Sequence, residues 1–406
     1  MESVEVKDSK RYNETGIFEE RVNQMIYFDN SATTSMHPMV LDTYVKTSQR
    51  FIGNPSSLHR LGEQSHVLLE KAREQIANQL GVSPKEIYFT SGGTEGNNWV
   101  LKGSAMVKQT FGKHIIISGV EHPSVSETAK QLESLGFKVS IAPVSSEGVL
   151  LVDALEQLIT SETIIVSTVV VNSEVGSLQP IKEISERLEK YPNIHYHVDA
   201  VQAVGKIPTE KWLTPRVDFA TFSSHKFHGP RGTGFIYWKE GRKLAPLLAG
   251  GGQEGNYRSG TENLPAIVSS ARACRLLFED MDLKVTQMER LKAYLIDSLK
   301  QYEKVTVFST EGEHSAPHII CFGIKDIRGE VLVHAFENKE IFISTTSACS
   351  SRKKSSSSTL SRMGVPGKKA ETAVRVSLDE KNTMMEMEQF LIIFKQLYDK
   401  FSKITE

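Results

Sequence analysis

The 406-residue sequence has little of three features that often identify a class of protein: cysteine, an excess of one charge and long apolar runs. Its three cysteines, Cys274, Cys321 and Cys349, and an N-terminus without an apolar signal core argue against a disulfide framework, and their spacing predicts no metal site. A net charge of −1 argues against nucleic acid as a direct partner. Because no apolar run approaches the ~18 residues of a membrane span, we expect no membrane partner and a cytoplasmic location.

The composition that is present, 39% hydrophobic and 8% aromatic residues, is typical of a globular protein. Residues 1–24 differ from the rest, because they are polar, mixed in charge and without apolar periodicity. We expect them to form a disordered extension. Met25 stands directly before the strand-like residues 26–28, and it is an alternative start of the chain.

Short β-branched runs alternate with longer amphipathic stretches between residues 85 and 240. Such alternation is typical of βαβ units, so the sequence predicts an α/β fold with a large, mainly parallel seven-stranded sheet and helices on both faces. The predicted strands are 86–89, 114–118, 139–142, 164–171, 195–198, 219–222 and 234–238. The predicted helices between them include 124–135, 152–159 and 181–191.

After about residue 275 the pattern changes to a long helix, three short strands and a final helix. This pattern predicts a smaller α+β domain. We therefore expect a large domain over 38–275 and a small C-terminal domain over 276–406, against which an N-terminal segment, 25–37, packs. The stretch 345–361 is rich in serine and basic residues, so we expect a mobile loop there.

Polar residues gather where the predicted strands end, and ligands of parallel sheets bind beyond those carboxyl ends. The run 88–98 reads as a strand, a glycine turn and the start of a helix. Backbone N–H groups of Gly93 and Thr94 at the start of that helix predict an anion site, although an ordinary capped turn fits the same pattern. The run lacks Walker spacing, which disfavours a nucleotide.

Lys226 follows a Ser-Ser-His run and precedes a glycine and proline turn. A desolvated amine among hydroxyls and an imidazole can be nucleophilic near neutral pH, so Lys226 is a candidate Schiff-base residue. Ser223 and His225 beside it could add donors to a phosphate. A serine-flanked lysine on its own is more often a solvated surface charge.

Asp199 ends an apolar strand, where an unpaired carboxylate is costly. A pyridinium nitrogen would supply the missing partner, and a ring held protonated in this way is an electron sink. His122 could stack on the other face of that ring and move protons, or it could be structural.

Together these motifs resemble the fold-type I pyridoxal-phosphate enzymes, and specifically the NifS/IscS-like cysteine desulfurases of the class-V aminotransferase family. The resemblance runs from about residue 26 to the last helix. It rests on motifs at residues 27–34, 53–59, 90–98, 121–123, 171–176, 199–202, 225–226, 258–263 and 347–351. It implies pyridoxal 5'-phosphate as the cofactor, L-cysteine as the substrate and a homodimer as the active unit.

The resemblance also implies a role for each site residue. Lys226 would form the Schiff base, Asp199 would pair with the pyridine nitrogen, and His122 would stack on the ring. Asn172 and Gln202 would hydrogen-bond near the phenolic oxygen, and Arg375 with Asn172 would bind the substrate. The implied phosphate-binding residues are Gly93, Thr94, Ser223, His225 and, from the neighbouring subunit, Thr261.

Cys349 limits which reactions are plausible. It lies in a run of small, polar residues with three cations within five positions. Nearby positive charge increases the thiolate fraction of a cysteine. The resemblance implies that Cys349 takes the sulfur as a persulfide and passes it to an acceptor protein. That acceptor could be an iron–sulfur cluster scaffold, a tRNA-thiolation enzyme or an enzyme of thiamine synthesis. Cys274 and Cys321 are predicted to be packing residues.

Three departures from the family pattern stand out: Ser173 replaces a usual Asn, Asp379 replaces a usual glycine, and 352–358 is unusually basic and serine-rich. Two other functions stay open at this point. One is a different pyridoxal-phosphate C–S or C–Se lyase, such as a selenocysteine lyase, on the same scaffold. The other is a catalytically silent scaffold that docks sulfur-transfer proteins.

Overall fold

The structure is a computed structural model that describes residues 25–346 and 358–403. The expected disordered extension, 1–24, and Cys349 lie outside the described residues. None of the helices in the described ranges is long and apolar enough to cross a lipid bilayer.

Thirteen strands are present in the described part of the chain. In chain order they are β1 (Ile26–Tyr27), β2 (Ile87–Thr90), β3 (His114–Ser118), β4 (Lys138–Ala142), β5 (Thr163–Val169), β6 (His195–Asp199), β7 (Phe219–Ser223), β8 (Gly234–Trp238), β9 (Val305–Val307), β10 (Ile319–Ile324), β11 (Ile341–Phe342), β12 (Ser344–Thr345) and β13 (Ala373–Ser377).

The helices cover the faces of two larger sheets. In chain order they are α1 (Pro38–Arg50), α2 (Arg60–Leu80), α3 (Gly93–Lys108), α4 (Pro123–Ser134), α5 (Val152–Leu158), α6 (Ile181–Leu188), α7 (Leu264–Phe278), α8 (Met281–Leu299), α9 (Gly329–Glu337), α10 (Ser358–Arg362), α11 (Gly367–Ala370) and α12 (Met384–Ser402).

The first sheet has seven strands in the order β2-β8-β7-β6-β5-β3-β4. Every pair is parallel except the two pairs that β8 makes. Strands β3, β5, β6, β7 and β8 are buried along their whole length, as expected for a sheet covered on both faces. The predicted seven-stranded, mainly parallel sheet is therefore confirmed, and no predicted strand end is wrong by more than two residues.

The carboxyl ends of β2, β3, β5, β6 and β7 lie along one edge of this sheet, which we call the carboxyl edge. Two helix starts lie there. Helix α4 begins with Pro123 in its first turn and is capped by the side chain of His122, a placement that suits a residue without an N–H group. Helix α3 begins at Gly93, where an added Cβ would lie 2.8 Å from Cγ2 of Val201. Only glycine allows the backbone at position 93 to lie so close to the Val201 side chain.

The second sheet is antiparallel, with the order β12-β13-β10-β9. It packs with α8, α9 and α12 around a core of its own, which includes Phe322, Phe336 and Phe390. The strand β1 pairs in parallel with β11, and Asp29 bridges to Ser377 at the end of β13. The division of the chain into domains at about residue 275 stays a prediction.

The loop expected over 345–361 mostly falls outside the described residues, but its end differs from the expectation. Helix α10 begins at Ser358. Leu360 is fully buried and packs with Cys321 and Met363, and Thr359 is buried beside it. The serine-rich composition predicted a loop here. The structure has a short helix instead, in which Thr359 and Leu360 are buried.

Candidate active site

Lys226 lies at the carboxyl edge, at the end of the short 3-10 helix Ser224–Lys226 that follows β7 directly. Its Nζ donates hydrogen bonds to the carbonyl oxygens of Ser31, at 2.6 Å, and Ala32, at 2.8 Å. The N-terminal segment therefore crosses the carboxyl edge and holds the lysine amine. The sequence motif at 27–34 was noted in the resemblance, but this contact was not predicted.

Asp199 ends β6 and is 3% exposed. Its Oδ2 accepts a 2.7 Å hydrogen bond from Nδ2 of Asn97, and its Oδ1 accepts one of 3.0 Å from the backbone N–H of Val201. Within the described ranges Asp199 has no ion-pair partner. Because these donors are neutral, they do not balance the charge of the buried carboxylate, and a cationic ring nitrogen could do so.

A chain of hydrogen bonds links Asp199 to His122. Nδ2 of Asn97 also donates to Oγ of Ser124, at 2.8 Å, and this hydroxyl lies 2.8 Å from Nδ1 of His122. The backbone N–H of Ser124 donates to the same Nδ1, at 3.1 Å. Because Nδ1 accepts, a neutral His122 carries its proton on Nε2.

The charge state of His122 follows from its surroundings. Burial lowers the pKa of His122, the Asp199 carboxylate opposes this effect, and the Lys226 ammonium adds to it. The ring is therefore neutral at neutral pH. A neutral ring with Nε2–H can stack and donate a proton without placing a second cation beside Lys226.

A cavity of about 300 Å³ opens where α3 begins. It is lined by Thr33, Ser91, Gly92, Gly93, Thr94, Glu95, Ser223, His225, Arg231 and Gly232. The four residues that were predicted to hold a phosphate within this chain therefore meet in one place. Thr261 is exposed and does not line this cavity of the described chain.

His225 and Glu95 are the titratable groups in this lining whose pKa is shifted. Burial, with Lys226 and Arg231 nearby, lowers the pKa of His225 to about 4, so its ring is neutral. Burial would raise the pKa of Glu95, but hydrogen bonds from Arg258 and Ser91 outweigh it and lower that pKa. The Arg258–Glu95 pair was not predicted from the sequence. It lies beside the glycine turn, because Glu95 also accepts a hydrogen bond from the backbone N–H of Ser91.

Gln202 and Asn172 differ in how the chain uses their amides. Nε2 of Gln202 donates to the carbonyl of Ser31, at 2.9 Å, and its Oε1 is buried with no hydrogen-bond partner in the part of the chain that the structure describes. Nδ2 of Asn172 donates to the carbonyl of Val120, at 3.0 Å, and to Oγ1 of Thr359, at 3.1 Å. Both N–H groups of Asn172 therefore have partners in the chain, and the structure does not place a donor of Asn172 toward the cofactor.

Arg375 lies in the middle of β13, 5% exposed, and faces the carboxyl edge from the second sheet. One terminal nitrogen donates to Oδ1 of Asp29, at 2.8 Å, and the other to the carbonyl of Ser173, at 2.9 Å. Nε has no partner among the described residues. A guanidinium has five N–H donors, so these contacts leave donors for a substrate carboxylate.

The three cysteines fall into two groups. Cys274 and Cys321 are fully buried, and burial raises the pKa of both thiols, that of Cys274 to about 12. Both are therefore poor nucleophiles. Cys349 lies outside the described residues, but β12 pairs with β13 at Arg375 just before the segment begins.

The residues present fit pyridoxal phosphate. The start of α3 offers backbone N–H groups to a phosphate, and Asp199 offers a carboxylate to a ring nitrogen. Oε1 of Gln202, Oγ of Ser31 and Oδ1 of Asn97 are buried polar atoms without partners among the described residues, and a bound polar group could supply such partners.

The comparisons with known proteins all identify the same family. The model of the class-V aminotransferase family matches residues 26–390. A NifS/IcsS protein homolog of Lactobacillus delbrueckii subsp. bulgaricus is 52% identical over 381 residues, which cover 94% of this chain and 99% of the relative. A cysteine desulfurase IscS of Dictyoglomus turgidum is 36% identical, with 94% and 96% of the two chains covered. A solved structure described as a NifS-like protein has a TM-score of 0.86 and 38% identity, and the match covers 93% of this chain and 99% of that one.

Proposed function

Because this chain belongs to the class-V aminotransferase family and, within it, to the NifS/IscS-like cysteine desulfurases, we propose that it converts L-cysteine to L-alanine with pyridoxal phosphate and takes up the sulfur on Cys349. The single observation that supports this most is the meeting of Lys226, Asp199 and His122 at the carboxyl edge. Lys226 on its own would not be sufficient support for the proposal. A lysine, a buried carboxylate and a neutral imidazole together fit one aromatic, cationic ring.

Substrate binding is proposed to begin at Arg375. Its guanidinium is buried and held in place by Asp29 and the carbonyl of Ser173, so it is oriented before the substrate arrives. The remaining donors can bind the carboxylate of L-cysteine in a bidentate manner. The amino group of the substrate would then face Lys226.

The proton steps are proposed to use Lys226 and His122. When bound, pyridoxal phosphate supplies an electron sink for the pair of electrons left at the substrate Cα. Lys226 then acts as the base that removes the Cα proton. His122, neutral and with its proton on Nε2, can donate that proton, because Ser124 occupies Nδ1. A positioned acid or base of this kind contributes ~10²–10⁴ in rate.

Sulfur transfer is proposed to be a reaction of Cys349. Its thiolate attacks the substrate sulfur, an S–S bond forms, and the C–S bond breaks. The carbon skeleton gains a proton and leaves as L-alanine, so L-cysteine and a thiol become L-alanine and a persulfide with no other reactant.

Several finer features belong to the same proposal. A homodimer would bring Thr261 of a second copy to the phosphate, which agrees with its exposure here. The persulfide sulfur would pass to a cluster scaffold protein or a tRNA-thiolation enzyme in the cytoplasm. The basic residues after Cys349 are the part of the chain that could select such a partner.

Product analysis tests the proposal. The holoenzyme is incubated with L-cysteine and a reductant, and alanine, sulfide, pyruvate and ammonia are measured. We expect alanine and sulfide in equal amounts. Pyruvate and ammonia in place of alanine would identify another C–S lyase, and alanine formed only from selenocysteine would identify a selenocysteine lyase.

A further inference from the structure

A cluster of three titratable side chains lies behind Lys226 and has no part in the steps above. His228 follows Lys226 by two residues and is 4% exposed. Its Nε2 lies 3.3 Å from Oε2 of Glu380 and 3.6 Å from Oδ2 of Asp379. Both carboxylates belong to the turn after β13, and both side chains are largely buried. The cluster therefore joins the loop of Lys226 to the second sheet.

The hydrogen bonds define the form of the His228 ring that fits. Nδ1 lies 2.8 Å from the carbonyl oxygen of Ser35, which can only accept, so Nδ1 carries a proton. With Nε2 unprotonated, its lone pair would face two carboxylates. A ring that donates from both nitrogens removes this repulsion and makes charge-assisted hydrogen bonds instead. The geometry fits an imidazolium.

The carboxylates respond to this cation. Burial would raise the pKa of Glu380, but its hydrogen bond with His228 and the charge of that ring outweigh burial and lower the pKa to about 2. Burial raises the pKa of Asp379, and His228 opposes the rise. Glu380 is therefore the principal anionic partner, and Asp379 is the weaker one.

A second buried cation belongs to the same cluster. Nζ of Lys206 donates to the carbonyl oxygen of Lys226, at 3.3 Å. Burial lowers the pKa of Lys206 to about 8, and the carboxylates of Glu380 and Asp379 oppose this effect. The two carboxylates therefore already have Lys206 as a cationic partner. A histidine with two carboxylates has the ligand types of a metal site, but a divalent ion at this position would also meet the positive charge of Lys206.

The cluster also ties a third segment to the site. The backbone N–H of His228 donates to Oγ1 of Thr34, at 2.7 Å, and the backbone N–H of His37 donates to the carbonyl of His228, at 3.1 Å. The backbone of His228 has a φ of +61°, a left-handed conformation that is costly for a residue with a Cβ. These contacts hold it in that conformation.

We propose that His228 is a positioning residue for desulfuration: its imidazolium, held by the carboxylates of Asp379 and Glu380, sets the distance between the two halves of the substrate site. One half is the loop that carries Lys226. The other is β13, which carries Arg375 four residues before Asp379. The proposal rests on the proposed function, and it gives a role to Asp379, which stands where the family pattern has glycine.

The experiment compares H228L with H228Q, because the glutamine amide keeps one donor at the position of Nε2. The holoenzyme is titrated with L-alanine, and binding is followed by cofactor absorbance, alongside kcat and KM for L-cysteine. We expect H228L to weaken L-alanine binding and raise KM about tenfold, with a smaller change in kcat per bound cofactor, because displaced groups bind the substrate poorly. We expect H228Q to recover most of the affinity.

A readout without cofactor separates this inference from the proposed function. In the apoprotein, amide hydrogen exchange over residues 226–230 and 374–380 is expected to be faster in H228L than in the wild type, and nearly unchanged in H228Q. The control is H334L, because His334 makes a 3.0 Å contact with Glu337 on the exposed surface of α9. It should change neither the exchange nor the KM.

Three outcomes would overturn the inference. The first is L-alanine binding and KM in H228L within twofold of the wild type. The second is equal loss of affinity in H228Q and H228L, which would indicate a packing role alone. The third is an equimolar metal ion in the wild type that H228L loses. Should H228L not fold, E380Q is measured instead, with the same expected rise in KM. A wild type that makes no alanine defeats the proposed function, and the exchange result still decides the inference.

Discussion

The proposed cofactor side and the proposed substrate side of the site are built in different ways. On the cofactor side, Asn97, Ser124 and Asp199 come from the seven-stranded sheet and its helices, and they bond to one another. On the substrate side, Arg375 comes from the second sheet, where it bonds to Asp29, and it also bonds across to the carbonyl of Ser173, which follows β5 of the first sheet. The first group is therefore ordered by its own sheet, and the second depends on how the two sheets are aligned.

This difference has a functional consequence. A cofactor that takes part in every turnover benefits from a site that does not move, and buried, mutually bonded groups supply one. Substrate binding and sulfur transfer need access for a cysteine and for an acceptor. We therefore expect substitutions on the substrate side to change KM or sulfur transfer while the cofactor stays bound, and substitutions on the cofactor side to change both.

The largest expected effect is that of C349A. Removal of the proposed nucleophile should lower sulfide production at least about a thousandfold, because the other two cysteines of the chain, Cys274 and Cys321, are fully buried. The cofactor absorbance should remain. Sulfide production and absorbance are measured together, with C274A as the control, since Cys274 is buried in α7. Normal sulfide production by C349A would contradict the proposed persulfide.

The next effect is that of R375K. Lysine cannot bind a carboxylate in a bidentate manner, and a lost hydrogen bond between charged groups corresponds to about 1.5–3 kcal/mol. We expect the KM for L-cysteine to rise roughly 10- to 100-fold with the cofactor still bound. R328K, at an exposed arginine paired with Glu330, is the matched control. Loss of the cofactor in R375K would break the separation of the two sides.

A smaller effect is expected for N97A, on the cofactor side. It removes the donor that Asp199 and Ser124 share, so it should weaken cofactor binding and lower kcat/KM together, each about tenfold. Cofactor affinity is measured by dialysis and absorbance. N98A is the control, because the Asn98 side chain bonds to the carbonyl of Thr94 in its own helix. A change in KM alone would contradict the comparison.

The last prediction concerns stability rather than activity, and it is made for Glu121, whose Oε1 accepts a 2.7 Å hydrogen bond from the backbone N–H of Val169. Burial raises the pKa of Glu121 to about 8, so the folded chain holds a proton that the unfolded chain loses near pH 4.5. The stability from this proton is complete at low pH and is lost as pH rises toward 8, by up to about 1.4 kcal/mol per pH unit.

Denaturant unfolding of the apoprotein between pH 5 and 9 checks this. We expect E121Q to lack that slope, because a glutamine stays neutral, and its stability relative to the wild type should increase with pH. E147Q, at an exposed glutamate, should follow the wild type. Parallel curves for E121Q and the wild type would show that Glu121 is ionised in the folded protein.

The parts of the site that depend on local sequence could be predicted. Asp199 is the last residue of an apolar strand and Lys226 lies three residues after another, and strand ends are visible in the alternation of residue types. The direction of β8 could not be predicted in this way, since an antiparallel strand between parallel ones has the same local pattern.

The contacts that hold the site could not be predicted, because they join distant parts of the chain. Asn97 reaches Asp199 across 102 residues, and Lys226 reaches Ser31 across 195. Thr359 was assigned to a loop from its serine-rich surroundings, although it is buried and bonds to Asn172. Composition describes solvation, and it does not show that one threonine and one leucine in a polar run are packed.

The most direct test of the central claim is reduction of the active holoenzyme with borohydride, followed by digestion and peptide mapping. We expect a pyridoxyl group on the peptide that contains Lys226, and we expect the labelled fraction of the chains to match the fraction of activity lost. A labelled lysine elsewhere in the chain, or full inactivation with Lys226 unmodified, would contradict it.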